Sequence, residues 1–162
     1  MGKTVVCPGS FDPLTIGHLD IIKRSSNLFD KVIVVVMRNM SKDVGSFTTE
    51  ERVELIKRCT KDLPIVSVDT YQGLLADYVR EKGASAVVKG LRAISDYDDE
   101  FRQALTNQKL NPQMETIFMV ANSEHMFLSS SVVKDVCRLG GDISGFVPPE
   151  ICDDIVKRLS RK

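Results

Sequence analysis

The sequence predicts a single α/β domain in which a five-stranded parallel sheet is flanked by helices on both faces. Short apolar segments alternate about five times with segments of helical periodicity, which is typical of parallel-sheet proteins. Residues 31–38 form a continuous β-branched run, as expected for a parallel strand that is buried on both faces. Thr48 precedes Glu51 by three positions, and this capping box predicts the start of a helix that runs to about Lys61.

The other elements follow in the order that an alternating fold requires. Residues 4–7 are short and apolar and predict a first strand, and residues 19–29 have the periodicity of a helix. Further strands are predicted at residues 65–68, 86–89 and 116–120, and further helices at 74–82, 96–110 and 129–139, with a last helix that starts at 148–150 and repeats Ile151, Ile155 and Leu159. Because no internal repeat or linker interrupts this order, one domain is expected to span residues 1–162.

The composition restricts the classes of function. The 162-residue chain carries 22 Lys and Arg residues against 22 Asp and Glu residues, and this zero net charge argues against nucleic-acid binding as a main role. Its 4 cysteines stand singly and it has only 2 histidines, which argues against a structural zinc site and a disulfide framework. No apolar run approaches the ~20 residues of a membrane span, and no export signal precedes the first strand. We therefore expect a cytoplasmic protein with no membrane or nucleic-acid partner.

The segment between the first strand and the first helix is dense in groups that can bind a phosphate. Residues 8–18 have the sequence Pro-Gly-Ser-Phe-Asp-Pro-Leu-Thr-Ile-Gly-His and join a strand end to a helix start, which is where open α/β sheets bind ligands. Gly9 and Gly17 allow the backbone to approach an anion, and the helix start offers N–H groups to it. His18 in the first turn would point at the same anion. A glycine-rich connection without function would look similar, so the loop alone leaves both interpretations open.

Two later segments point to the same chemistry. Three serines, Ser129 to Ser131, begin a helix after a strand and a loop, and one serine is enough to cap a helix. Lys89 and Arg92 stand on either side of Gly90 and Leu91 at the end of a predicted strand, and two cations beside a glycine suit an anion. Ordinary capping and a solvated turn are the alternative explanations for these two segments.

The string at residues 8–18 resembles the signature of the nucleotidyltransferase superfamily, and most closely that of the bacterial phosphopantetheine adenylyltransferase family. The resemblance implies a Rossmann-like nucleotidyltransferase fold and the transfer of AMP from ATP to 4′-phosphopantetheine, with dephospho-coenzyme A and pyrophosphate as products. It also implies a homohexamer. A magnesium ion is expected to arrive with ATP, since Mg²⁺ prefers phosphate oxygens and water to an all-protein cage. The sequence indicates no protein ligand for this metal.

The same resemblance implies roles for individual residues. His18 would stabilise the transition state, with Lys42 and Lys89 as further catalytic residues. The acceptor 4′-phosphopantetheine would be bound by Ser10, Lys42, Leu75 and Lys89. The ATP site would consist of Ser10, Phe11, His18, Gly90, Leu91, Arg92, Glu100, His125, Met126, Phe127, Leu128, Ser129, Ser130 and Ser131.

The chain departs from the family pattern at a few positions. It has Lys89 where many relatives carry arginine, which keeps the charge but loses the bidentate fork of a guanidinium. It has Tyr97, Asp98 and Asp99 where relatives often have Phe, Glu and Tyr. It has His125 where an aromatic Trp or Tyr is common. The differences at residues 97–99 and at His125 leave the adenine contacts and the subunit packing open.

The implied reaction explains why the sequence shows no obvious catalytic triad. A phosphate nucleophile is already ionised at neutral pH and needs no strong general base. The reaction requires the alignment of two polyanions and the neutralisation of charge that grows on the α-phosphate. Suitable donors for this task are His18, Lys42, Lys89 and Ser10.

Other functions are compatible with parts of this pattern. A cytidylyltransferase or a nicotinate mononucleotide adenylyltransferase would share the loop and the serine helix start, but the segment from Lys89 to Arg92 and the short length favour phosphopantetheine. From other classes, a non-catalytic nucleotide sensor or a flavodoxin-like electron carrier would use a similar sheet. A flavodoxin usually has a hydroxyl-rich first loop and an acidic surface, whereas this chain has His18 in that loop and no net charge.

Overall fold

The computed structural model describes residues 2–38 and 45–160 and contains one five-stranded sheet. Its strands are β1 (Thr4–Gly9), β2 (Lys31–Met37), β3 (Val66–Tyr71), β4 (Ala86–Leu91) and β5 (Glu115–Val120). The helices of the described residues are α1 (Ile16–Ser26), α2 (Thr49–Thr60), α3 (Leu75–Glu81), α4 (Ile94–Leu110), α5 (Ser130–Arg138) and α6 (Pro149–Leu159), with one 3₁₀ turn at Ser123–His125. Within these residues, no helix combines the length and the apolar composition needed to cross a bilayer.

All neighbouring strands of the sheet are parallel, in the order β3-β2-β1-β4-β5. The chain moves outward from β1 to β3 and then crosses to β4 on the other side of β1. These two central strands pair only near their beginnings, through Val5 with Ala86 and Val6 with Val87, so that their carboxyl ends separate. Open α/β sheets bind ligands where the strand order reverses in this way, which here is between β1 and β4.

Helices cover both faces of the sheet, as predicted. On one face, Val34 of β2 belongs to a buried cluster with Ile22 of α1 and Ile155 of α6. On the other face, Val35 belongs to a second cluster with Tyr78 of α3. Successive residues of β2 are thus buried on opposite faces, which explains the continuous apolar run of this strand. The arrangement confirms the predicted fold class.

The predicted elements are all present, and the largest differences lie at the two ends of α1 and at the end of β3. The periodicity predicts a helix over residues 19–29, whereas α1 spans Ile16–Ser26. Thr15 and His18 form a capping box that starts the helix three residues earlier than predicted. Three strands, β1, β3 and β4, also extend further than predicted at the carboxyl edge of the sheet. Within the described residues, Ser10, His18, Lys89 and Ser129 to Ser131 therefore stand on or directly beside regular structure.

Candidate active site

The loop between β1 and α1 is held in one tight conformation. Phe11 lies in the left-handed region with a φ of 48°, and a non-glycine residue keeps such a conformation at a cost of roughly 1–3 kcal/mol only where its surroundings fix it. Its buried ring lies over Gly9, where an added Cβ would be 2.9 Å from the ring atom Cζ, so this close approach requires glycine. The Phe11 ring also meets the His18 ring edge-on, with 5.2 Å between centroids.

His18 is oriented by Thr15 through a reciprocal pair of hydrogen bonds. The backbone N–H of His18 donates to Thr15 Oγ1 at 3.2 Å, and the backbone N–H of Thr15 donates to His18 Nδ1 at 3.0 Å. Histidine here takes the place of the glutamate or glutamine that is usual in a capping box. Because Nδ1 accepts this hydrogen bond, the neutral ring carries its proton on Nε2. The Nε2–H is then the donor that His18 offers to its surroundings.

The His18 ring is neutral at physiological pH. Burial, and after it the positive charge of Arg92, lower the pKa of the imidazole from 6.5 to about 4. A neutral ring with its proton on Nε2 acts as a hydrogen-bond donor and not as a cation. This arrangement suits the stabilisation of charge that develops on a phosphate oxygen.

Lys89 and Glu100 form an ion pair beside the end of β4. Lys89 stands on β4 and Glu100 on α4, with 3.1 Å between Nζ and Oε2 and with 21% and 23% of the two side chains exposed. The next residue, Gly90, passes close to α1, since an added Cβ would lie 3.1 Å from Cγ1 of Ile21. The structure therefore places a residue predicted for the acceptor, Lys89, against one predicted for ATP, Glu100.

Arg92 joins the end of β4 to the loop before α5. Its backbone N–H and its Nε donate to Asp96 Oδ2 at 3.3 and 3.2 Å. Its Nη1 donates to the carbonyl oxygen of Leu128 at 2.5 Å. These bonds fix the guanidinium near His18, where its charge contributes to the low pKa of the imidazole.

The serines at the start of α5 use their hydroxyl groups differently. Ser129 is the N-cap and accepts a hydrogen bond from the backbone N–H of Val132 at 3.1 Å. Ser130 donates its Oγ–H to the carbonyl oxygen of Pro13 at 2.8 Å, which ties α5 to the loop between β1 and α1. Capping therefore explains only one of the three serines. The first turn of a helix also presents backbone N–H groups that suit an anion.

Two adjoining clefts open at the carboxyl edge of the sheet. The first has a volume of about 460 Å³ and lies among β1, α1, β4 and the first turns of α4 and α5. The second has a volume of about 450 Å³ and lies among the ends of β1 and β2, the start of α3 and the middle of α4. Both clefts are lined by Pro8, Gly9, Ser10, Lys89 and Gln103. Two molecules bound one in each cleft would thus meet beside Ser10 and Lys89.

The clefts bring together most of the residues that the sequence singles out. The first is lined by Ser10, Phe11, His18, Lys89, Gly90, Arg92, Glu100, His125, Leu128, Ser129 and Ser130. The second is lined by Ser10, Leu75 and Lys89. Neither of these two clefts is lined by Leu91, Met126, Phe127 or Ser131. Lys42 lies outside the described residues. The roles of all these residues in binding and catalysis stay predictions.

Several residues that shape the clefts carry no obvious signal in the sequence. Gln103 lines both clefts, and Asp96 and Asp99 line the first. Thr15 is buried and orients His18, and its spacing of three residues from His18 is the one signal that sequence reasoning could have used. The others stand on an exposed helix whose polar residues resemble a solvated face.

Cys7 also lines the first cleft but is not an activated nucleophile. Burial raises the pKa of its thiol to about 11, against a smaller opposite effect of its hydrogen bond with Ser25. A thiol with this pKa is protonated at neutral pH and is a poor nucleophile. Cys7 therefore offers no activated thiolate to the first cleft.

The fold and the two clefts define the class of protein. A family model described as cytidylyltransferase-like matches residues 6–136. A solved structure from Vibrio parahaemolyticus, provisionally named a nicotinate-nucleotide adenylyltransferase, has a TM-score of 0.70 and 19% identity and covers 100% of both chains. At this identity the likeness shows the fold alone. The chain is a member of the nucleotidyltransferase superfamily, as its first loop predicts.

Relatives of nearly the same length identify the family within this class. The chain is 54% identical to the phosphopantetheine adenylyltransferase of Natranaerobius thermophilus over 156 residues, which are 96% of each chain. It is 47% identical to the protein of the same name from Caldanaerobacter subterraneus subsp. tengcongensis over 159 residues, which are 98% of this chain and 99% of that relative. The chain therefore belongs to the phosphopantetheine adenylyltransferase family, and the predicted family is confirmed.

Proposed function

We propose that the protein transfers AMP from ATP to 4′-phosphopantetheine and releases dephospho-coenzyme A and pyrophosphate. The observation that carries this proposal is the junction of two clefts, of about 460 and 450 Å³, at Ser10 and Lys89. A reaction between two bound phosphates needs such a junction, because the attacking oxygen and the α-phosphorus must come within about 3–3.5 Å of each other.

ATP is assigned to the first cleft. Helix starts bind anions through their N–H groups and dipole, which supports placing the β- and γ-phosphates at Ser129 to Ser131. Gly90 and Arg92 both line this cleft, and Arg92 adds a positive charge to it. The remaining proposed ATP contacts are Ser10, Phe11, His18, Leu91, Glu100, His125, Met126, Phe127 and Leu128.

The acceptor is assigned to the second cleft. Its wall includes apolar side chains, Met37 and Leu75, and amide side chains, Gln103 and Asn107. This mixture suits the pantetheine arm, in which apolar segments alternate with two amide groups. With the arm in this cleft, the phosphate of the acceptor would lie at the junction, within reach of Lys89. We propose that Lys42 and Ser10 also bind this phosphate.

The reaction forms one P–O bond and breaks another. A phosphate oxygen of the acceptor attacks the α-phosphorus of ATP, and the bond from this phosphorus to the oxygen that bridges to the β-phosphate breaks. Pyrophosphate leaves with the bonding electrons. The acceptor phosphate is ionised near neutral pH, so no residue has to remove a proton.

The protein contributes positioned donors to this displacement. His18 donates its Nε2–H to an oxygen of the α-phosphate, where negative charge grows in the transition state. Lys89, held by Glu100, neutralises the two phosphates that meet at the junction. Lys42 adds a second positive charge there. These donors act mainly by alignment and charge stabilisation, which is how phosphoryl and nucleotidyl groups are transferred.

Magnesium is proposed to enter as part of the ATP complex. Within residues 2–38 and 45–160, no group of three or more His, Cys, Asp or Glu side chains is arranged to hold a metal ion. A magnesium ion bound to ATP takes most of its ligands from phosphate oxygens and water, so it needs no such group of protein side chains. The ion would supply charge neutralisation at the phosphates.

We further propose that the protein is a cytoplasmic homohexamer. Helix α4 carries an apolar stripe that consists of Ile94, Tyr97, Phe101 and Leu105, each at least 41% exposed. Contiguous apolar surface of this kind is typical of contacts between subunits, and it supports an assembly. The four cysteines are unpaired thiols, which agrees with a reducing compartment.

An acceptor panel tests the proposed function. Pyrophosphate release is measured with ATP and magnesium in the presence of 4′-phosphopantetheine or nicotinate mononucleotide, and with CTP and glycerol 3-phosphate as a third arm. Release only with 4′-phosphopantetheine is the expected result. Release with another acceptor would show adenylyl or cytidylyl transfer to that acceptor, and the second cleft would then be assigned to it. No release in any arm would contradict catalysis and favour a nucleotide sensor.

A further inference from the structure

Asp12 is a buried carboxylate that both backbone and side-chain groups of other segments contact. It follows Phe11 in the loop between β1 and α1, and only 7% of the residue is exposed. Its Oδ2 accepts the backbone N–H of Ser46, and its Oδ1 accepts the backbone N–H of Phe47, both at 2.9 Å. The segment that leads into α2 is therefore tied to the first loop through both carboxylate oxygens.

Two cations from two different helices flank the same carboxylate. Nε of Arg52 in α2 lies 3.8 Å from Oδ1, and Nζ of Lys134 in α5 lies 3.6 Å from Oδ2. Arg52 also donates from Nη1 to the carbonyl oxygen of Ser10 at 3.1 Å. A buried carboxylate is stable only where such partners compensate it. Asp12 thus connects the first loop with α2 and α5.

The packing around this carboxylate is close. An added Cβ at Gly45 would lie 3.2 Å from Asp12 Oδ2 and 3.0 Å from the carbonyl oxygen of Phe47. On the other side of Asp12, Phe11 keeps its left-handed φ of 48°. A residue in this conformation needs surroundings that fix it, and Asp12 is its immediate neighbour. The contacts of Asp12 therefore restrain the backbone directly after Phe11, whose ring meets the His18 ring.

We propose that Asp12 is a positioning residue for adenylyl transfer, which holds the first loop, the segment before α2 and helix α5 in the arrangement that turns Ser10 and His18 toward the first cleft. This inference rests on the proposed function. Asp12 is not among the residues that line the two clefts, so it acts through its neighbours and touches no substrate.

The substitution Asp12→Asn tests this role with little change in shape. An amide has one oxygen where the carboxylate has two, and its NH₂ would face one of the two backbone N–H groups. The substitution also removes the negative charge between Arg52 and Lys134. We expect kcat to fall by about 10- to 100-fold, while the KM values for both substrates stay within about threefold, because misplaced groups act on the transition state.

Asp69→Asn is the matched control. Asp69 accepts the hydroxyl of Tyr78 at 2.8 Å and pairs with Lys82 at 2.7 Å, and it lines neither cleft. The Tm of both variants is measured, and the control is expected to keep its kcat within about twofold of the wild type. An unchanged kcat in Asp12→Asn, or an equal loss in both variants, would overturn the proposal.

Two further measurements keep the proposal open to refutation. Where Asp12→Asn does not fold, Lys134→Met removes one ion pair and keeps both hydrogen bonds, and we expect it to lower kcat by about three- to tenfold. An unchanged kcat in that variant would overturn the proposal.

Where the wild type is inactive in the acceptor panel, the NMR signal of His18 Cε1 still measures changes in the first loop around His18. A signal that is unmoved in both Asp12→Asn and Lys134→Met contradicts the positioning role.

Discussion

Replacement of His18 perturbs the donor that the proposed mechanism depends on most. Thr15 directs the Nε2–H of His18 by holding Nδ1, and His18→Ala removes this donor together with the capping box. Loss of one donor to a developing oxyanion typically lowers kcat by about 10²–10³-fold, which corresponds to roughly 2.7–4 kcal/mol of transition-state stabilisation. We expect the KM for ATP to change much less, because this hydrogen bond strengthens in the transition state.

His18→Gln separates the two roles of this residue. Glutamine is a usual partner in a capping box, so it can hold the start of α1 while it lacks the imidazole. We expect His18→Gln to keep the Tm of the wild type more closely than His18→Ala but to lose most of the activity. Steady-state pyrophosphate release measures kcat and KM for both variants. A kcat within about threefold of the wild type in His18→Ala would refute the assignment.

The protonation state of His18 gives this prediction a second, independent readout. With a pKa of about 4, roughly 1% of the rings would be protonated at about pH 6, against about three quarters for an ordinary pKa of 6.5. Because the folded pKa lies below the unfolded one, the wild type should lose stability relative to His18→Gln as the pH falls from about 6.5 to about 4. Above that window the stability difference should be constant.

NMR of the protein labelled at histidine Cε1 measures this pKa directly. The chain has 2 histidines, and the spectrum of His18→Gln identifies the signal of His18. The expected titration midpoint lies at about 4, and a midpoint near 6.5 would refute the neutral-donor reasoning.

Three further predictions concern the junction, the first loop and the apolar stripe of α4. Lys89→Met should lower kcat by about 100-fold, whereas the kcat of Lys89→Arg should stay within about threefold of the wild type because the charge is kept. Equal kcat values in these two variants would contradict the role of the charge. Gly9→Ala places a Cβ 2.9 Å from the buried ring of Phe11 and should lower kcat by at least about tenfold. Gly145→Ala is the control, because no other atom lies within 4 Å of a Cβ added there, and its kcat should be unchanged. Phe101→Asp should dissociate the assembly in sedimentation velocity, with Leu28→Asp as an exposed control; a monomeric wild type would contradict the proposed hexamer.

The sequence predicts most of the secondary structure because the decisive signals are local. The β-branched run of β2 and the capping box at Thr48 and Glu51 belong to single elements, and both are present where predicted. The start of α1 was one exception, because Thr15 with His18 forms a capping box without the usual acidic or amide partner. The strand order does not follow from local signals, since it depends on which side of β1 the chain crosses to β4.

The candidate site is predictable where its residues stand at the ends of predicted elements. Ser10 follows β1, His18 lies in the first turn of α1 and Lys89 lies near the end of β4, so the topology alone brings them to one edge of the sheet. The network of Asp12 could not be predicted in the same way. Its contacts with Ser46 and Lys134 join positions that are distant in sequence, and only the folded chain brings their atoms together.

The most direct test of the proposed adenylyl transfer follows the fate of each phosphate of ATP. The purified protein is incubated with magnesium and 4′-phosphopantetheine, with radioactive phosphorus at the α-position of ATP in one reaction and at the γ-position in another. We expect the α-label in dephospho-coenzyme A and the γ-label in pyrophosphate. Transfer of the γ-label to the acceptor, with ADP as the second product, would contradict attack at the α-phosphorus and the assignment of the two clefts.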